Sequence, residues 1–172
     1  MRILLFLVLF LFGGSISSQN CSLKSLKKKR ASKRVVNLIK NKDFNQAKNI
    51  IRSYNEHPVF NALKAEILWL EGDNSNAKKI ANEVIYVCDE DFPIVYYILA
   101  EISFQEKDFV KSYEFLKNSI QLGLEGQYLE NALVFLPRVK ILSDIINNPV
   151  EYNPQIISGI STEYDEYLPA NP

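Results

Sequence analysis

Lys42-Asp43-Phe44-Asn45-Gln46-Ala47, Gly72-Asp73-Asn74-Ser75-Asn76-Ala77 and Lys107-Asp108-Phe109-Val110-Lys111-Ser112 decide the fold of this 172-residue chain. Each is a polar turn followed at a fixed offset by a small residue, and each lies between apolar runs of helical period. The small residues Ala47, Ala77 and Ser112 step by 30 and 35 residues, the spacing of a unit made of two helices and a short turn. An all-α architecture of repeated helix pairs follows. Such arrays make extended surfaces for other proteins more readily than enclosed catalytic sites.

Working outward, the first pair is predicted as a helix from Leu26 to Lys40, a turn at Asn41-Lys42-Asp43, and a helix to about Tyr54. Val35, Val36, Leu38 and Ile39 form the buried stripe of the first helix, and Ala47, Ile50 and Ile51 that of the second. Asn55-Glu56-His57-Pro58 breaks the pattern, with Pro58 suited to a helix start. The second pair runs from Val59 to Leu70 and from Asn76 to Val87. Asp89-Glu90-Asp91-Phe92-Pro93 lacks the glycine and the alternating ligands of a calcium loop, so Asp91 or a neighbour is expected to cap the next helix. The third pair covers Pro93 to Gln105 and Phe109 to Leu122, and Gly123 and Gly126 end it. Two shorter helices, Gln127 to Phe135 and Pro137 to Ile146, are expected to be divided at Pro137 and to cover the last repeat.

The ends differ from this middle. Arg2, the apolar run Ile3 to Phe12 and the small and polar residues Gly13 to Gln19 have the order of a secretory signal peptide. That run is shorter than the roughly 20 apolar residues needed to cross a bilayer. The cations that follow, Lys24, Lys27, Lys28, Lys29 and Arg30, argue instead for a retained anchor, because they outnumber those before the run. Four of the seven prolines fall between Asn147 and Pro172, where helical periodicity stops. The expected organisation is therefore residues 1–19 as signal peptide, 20–146 as helical repeat domain, and 147–172 as proline-rich linker or the start of something else.

Composition excludes little beyond nucleic acid. Lys+Arg and Asp+Glu both number 20, so no overall field attracts a polyanion, although the charge is unevenly placed. After export, Cys21 and Cys88 would meet an oxidising compartment. Ser18-Gln19-Asn20 lacks the small residue that a lipobox sets beside its cysteine, which argues against lipidation of Cys21. Cys88 reads as a small apolar residue closing a helix, with a Cys21–Cys88 disulfide as the alternative.

Between Lys28 and Gly126 the pattern resembles the tetratricopeptide repeat, whose period is about 34 residues. Ala65 and Ala100 stand at the small position of the first helix, Ala47, Ala77 and Ser112 at that of the second, and Phe44 and Phe109 at the aromatic position of the turn. Asn74 departs from that position, and Asn61 and Tyr96 replace the usual tryptophan. The tail segments Asn147 to Pro154 and Gly159 to Pro169 resemble the junction in Gram-negative envelope proteins of the OmpA family. There, such repeats lead into a WD40-like propeller and a peptidoglycan-binding domain, and the family is associated with type IX secretion and gliding. The resemblance implies other envelope proteins as partners, and a place in the periplasm or on the periplasmic side of the outer membrane. It does not carry over peptidoglycan binding, since the sequence ends at Pro172 before a blade could form.

No catalytic constellation emerges, so the chain is not expected to be an enzyme, to hold a metal or cofactor, or to take a small-molecule substrate. His57, the single histidine, lies in an interhelical turn and reads as a surface residue. The resembling family lines its concave face with the first helix of each pair. Alignment on the Asp73 and Asp108 turns then sets Ala62, Glu66 and Trp69 in line with Tyr97, Glu101 and Phe104, each trio at i, i+4, i+7 spacing on one helix face. These six are the candidate partner-binding residues, with packing between neighbouring pairs as the competing role of the aromatics. Lys27, Lys28, Lys29 and Arg30 offer a peripheral membrane contact, or simply a solvated helix start. The runner-up function is a structural anchoring piece, tied to the envelope through lipidated Cys21 or this basic segment.

Overall fold

The structure, a computed structural model, describes residues 21–149. Among them it forms seven α-helices and no strand: α1 (Leu26–Lys40), α2 (Phe44–Arg52), α3 (Pro58–Leu70), α4 (Asn74–Val87), α5 (Pro93–Gln105), α6 (Phe109–Gln121) and α7 (Gly126–Asn147). The all-α expectation holds. The signal peptide expected at residues 1–19 and the tail from residue 150 to 172 lie outside the described residues.

The three polar turns adopt one geometry. Lys42, Gly72 and Lys107 take φ of 60°, 85° and 63°. The following aspartate N–H then reaches back to the carbonyl five residues earlier, at 2.9 Å for Asp43 to Leu38, Asp73 to Leu68 and Asp108 to Ser103. Each aspartate next caps the helix it opens: its carboxylate accepts from the N–H of Gln46 at 3.3 Å, of Asn76 at 3.2 Å and of Lys111 at 3.2 Å. Left-handed backbone is free for Gly72 but costs a lysine about 1 kcal/mol, which the cap and the reversed chain offset. Two ion pairs repeat along this edge. Lys48 of α2 meets Glu71 beyond the end of α3, and Lys78 of α4 meets Glu106 beyond the end of α5.

The backbones that approach closely belong to helices at most two places apart in the chain. Val35, Ile39, Ala47, Ile51, Phe60 and Ile67 make a core among α1, α2 and α3. Ala62, Ala65, Ala81, Val84, Val95 and Leu99 make the next among α3, α4 and α5. Tyr97, Ala100, Leu116, Ala132 and Val139 make a third among α5, α6 and α7. The small residues Ala47, Ala65, Ala77, Ala100 and Ser112 are all fully buried. At one of these close approaches the Ser112 hydroxyl donates to the Ala100 carbonyl at 2.8 Å, which satisfies a buried polar group across α5 and α6.

Three expectations need correction. The segment around Pro137 is one 22-residue helix, α7, with the proline inside it. Pro137 removes a single ladder bond on an exposed side, while Ala132 and Val139 bury on the other side and hold the helix continuous. Asp91 caps nothing: Phe92 is the N-cap of α5 without a side-chain bond, and Pro93 fixes the first helical position. The carboxylate used in that loop is Asp89, which accepts from the Tyr96 hydroxyl. Burial and this acceptor push the Tyr96 pKa up to about 12. Finally, Cys88 does close α4, but in a disulfide with Cys21, with Cα atoms 5.8 Å apart. The residues between α1 and the start of the described chain fold back to the end of α4, a long-range return that local patterning does not encode.

Candidate functional site

The i, i+4, i+7 spacing on α3 and α5 brings five of the six expected residues into one aromatic and carboxylate seam. Trp69 meets Tyr97 edge-on, with ring centroids 5.8 Å apart and planes at 88°. A third ring closes the set: Tyr128 of α7 lies 5.4 Å from Tyr97 and 6.2 Å from Trp69. Such tilted contacts suit the ring quadrupoles. Glu66 is buried and accepts from the Tyr128 hydroxyl at 2.8 Å. Glu101, half-buried, accepts from the Tyr97 hydroxyl at 2.9 Å. Farther along, Phe104 packs on Phe109 and Phe135, and the Arg138 guanidinium stands 5.3 Å above its ring.

Burial orders the electrostatics. It raises the pKa of Glu66, opposed by the Tyr128 hydrogen bond. It also raises both tyrosines: Tyr97 through desolvation and then the Glu101 charge, Tyr128 through desolvation and then the Glu66 charge. The hydroxyls therefore stay protonated and act as fixed donors to the two carboxylates.

The six positions are not equally available. Ala62 and Tyr97 are buried, Ala62 in the core with Val84, Val95 and Leu99, so neither offers surface. Glu66 faces Tyr128 rather than solvent. Trp69, Glu101 and Phe104 are partly exposed and form the open margin, with Arg138 exposed beside them. Tyr128, Phe135 and Arg138 fall in the two helices that the sequence reads as a cover for the last repeat, so they stand outside the six expected residues. A shift of 34 residues carries Tyr97, Glu101 and Phe104 onto Asn131, Phe135 and Arg138, so continuing the repeat spacing would have found α7.

A second surface lies at the other end of the molecule. Lys24 and Lys28, with Ser22, Ser25 and His57, line a cleft of about 660 Å³, and Lys27, Arg30 and Arg34 line a neighbouring one of about 550 Å³. His57 caps α3, its Nδ1 accepting from the Val59 N–H at 3.4 Å. Desolvation, then the Lys28 charge, lowers its pKa. Lys29 is exposed on the same helix.

No family model, no curated protein and no solved structure matches this chain. Among the described residues, Cys21, Cys88 and Asp91 bring potential metal-ligand atoms within 4.8 Å of one another, but the disulfide takes both sulfurs. Among those residues no helix is long and apolar enough to cross a membrane.

Proposed function

We propose that this chain is an exported, non-enzymatic scaffold of tetratricopeptide-like helix pairs that holds a segment of another cell-envelope protein. The observation that carries the reading is the turn geometry. Three turns with a left-handed residue at the same position, the same backbone return and the same aspartate cap recur at 30 and 35 residues, between helices whose backbones approach mainly near neighbours in the chain. Arrays of that kind work by presenting a long surface. The segment would lie along the open margin of the seam, with Trp69 and Phe104 supplying contact area and Glu101 selecting a basic side chain.

The test is capture of envelope proteins by the purified chain carrying Phe104→Ala or Glu101→Lys. A contact at the centre of an interface contributes about 2 kcal/mol, so capture of the specific partner should fall roughly 30-fold while the unfolding midpoint stays near that of the parent. Undiminished capture by both folded variants would remove the seam margin as the binding surface. The alternative of an anchoring piece lipidated on Cys21 loses its attachment atom to the disulfide. A peripheral membrane contact through Lys27, Lys28, Lys29 and Arg30 is retained as an accompaniment to the scaffold. It is supported by the absence of any ion pair to these four among the described residues.

A further inference from the structure

Charge divides the chain at the first aspartate turn. Residues 21–42 hold nine of its 20 Lys and Arg and none of its 20 Asp and Glu, so from Asp43 onward 20 acids outnumber ten cations. The seven cations between Lys24 and Arg34 enter no ion pair among the described residues. They also stand where they work against their own helix. α1 begins with no acid in its first turn and no side-chain bond from Ser25, so its leading cations meet the positive end of the helix dipole uncompensated. α2, α4 and α6 each begin on an aspartate that accepts from the first turn. A local choice that opposes its own helix points to a use outside it.

The fold gathers these cations around one apolar side chain. Lys24 and Lys28 line the cleft against His57, Lys27, Arg30 and Arg34 line its neighbour, and the two clefts meet at Ser53 and Tyr54. Glu56 is the one acid among the described residues that line them. Lys27, Arg30 and Arg34 follow i, i+3, i+7 and share a helix face. Leu26, the first residue of α1, stands 71% exposed among them. Such a side chain gains nothing from a polyanion in water, but it gains burial on entering the boundary between lipid headgroups and acyl chains.

We propose that this cationic end docks on an anionic phospholipid surface, the two clefts taking headgroup phosphates and Leu26 entering the boundary beneath them. The proposal deepens the membrane contact of the envelope reading and rests on it for the presence of a bilayer. The asymmetry of charge adds an orientation. A surface that attracts residues 21–42 repels the acidic remainder, so the helices that carry Trp69 and Glu101 stay turned to water.

Sedimentation of the full chain with vesicles tests it, in an assay that contains no envelope protein and so succeeds or fails independently of capture at the seam. Vesicles of phosphatidylglycerol mixed with phosphatidylcholine should bind the chain at about 0.1 M salt, and phosphatidylcholine alone should bind less. Raising the salt to about 1 M should release it, because the screening length falls to about 3 Å. Lys27→Gln with Arg30→Gln and Arg34→Gln should weaken binding to the anionic vesicles roughly 100-fold. The unfolding midpoint of this triple variant should hold or rise, since the substitutions relieve the opposed dipole. The fluorescence that Leu26→Trp adds to the parent should be quenched by phosphatidylglycerol brominated on its acyl chains, and that added by Val134→Trp, at an 82% exposed position on α7, should not. Equal binding to both kinds of vesicle, or undiminished binding by the folded triple variant, would overturn the proposal. So would quenching confined to Val134→Trp, which would move the lipid contact to α7. An unquenched Leu26→Trp on a chain that polyglutamate displaces from the vesicles would assign the cations to an acidic protein, and the proposal would fall with it.

Discussion

The edge that carries the three aspartate turns and the face that carries Trp69, Tyr97 and Tyr128 belong to the same helices but are held by contacts of different range. Along the edge, each cap and backbone return closes within five residues of its origin. Across the face, Glu66 and Tyr128 are 62 residues apart, and Cys21 and Cys88, which tie the start of the described chain to α4, are 67 apart. The edge repeats nearly unchanged through three units because each copy needs only its own few residues. The face does not repeat: its rings come one from each of α3, α5 and α7, so each position depends on how the helices were brought together.

If long-range ties dominate stability, the largest loss should come from the disulfide. Cys21→Ala with Cys88→Ala should cost about 4 kcal/mol, the loop-closure value for a ring of this length. Urea unfolding of the parent with and without reductant should show the same difference, and an effect below 1 kcal/mol would place the stability in the local edge instead. Next, Tyr128→Phe should cost about 1.5–3 kcal/mol at pH 7, because it leaves the buried Glu66 carboxylate without its donor.

That carboxylate also has a pH signature. Burial raises the pKa of Glu66 above its ordinary 4.5, so the folded state keeps the proton to higher pH than the unfolded chain. Its contribution is therefore fully favourable below the unfolded value and declines as the pH rises through the raised folded one. Glu66→Gln should remove this decline, seen as a flatter profile of unfolding free energy between acid and neutral pH.

Ala77→Leu probes the join between edge and core. Ala77 follows the Asp73 turn and is fully buried against Ile98 and Ile102, so the added side chain should overpack the contact at a cost of about 1–3 kcal/mol by thermal or urea unfolding. The smallest effect should fall on the edge itself. Asp73→Ala removes one cap bond and should cost about 1 kcal/mol, with hydrogen exchange quickened in the first turn of α4. A loss at Asp73 equal to that of the cysteine pair would erase the distinction between the two regions.

The sequence by itself determined the helices, their turns and the small residues at their contacts, because periodicity, aspartate caps and left-handed glycine act within a few residues. It also aligned Glu66 and Trp69 with Tyr97, Glu101 and Phe104, since spacing on a helix is a local property. Only the tertiary structure decided that Ala62 and Tyr97 are covered, that Tyr128 joins the seam and that Cys21 reaches Cys88. Pro137 shows why: its local preference is to break the helix, yet the packing of Ala132 and Val139 outweighs one lost backbone bond. Whether a side chain is surface or interior depends on which distant helix lies over it, and that is settled by burial summed across the whole array, a quantity no short stretch of sequence contains.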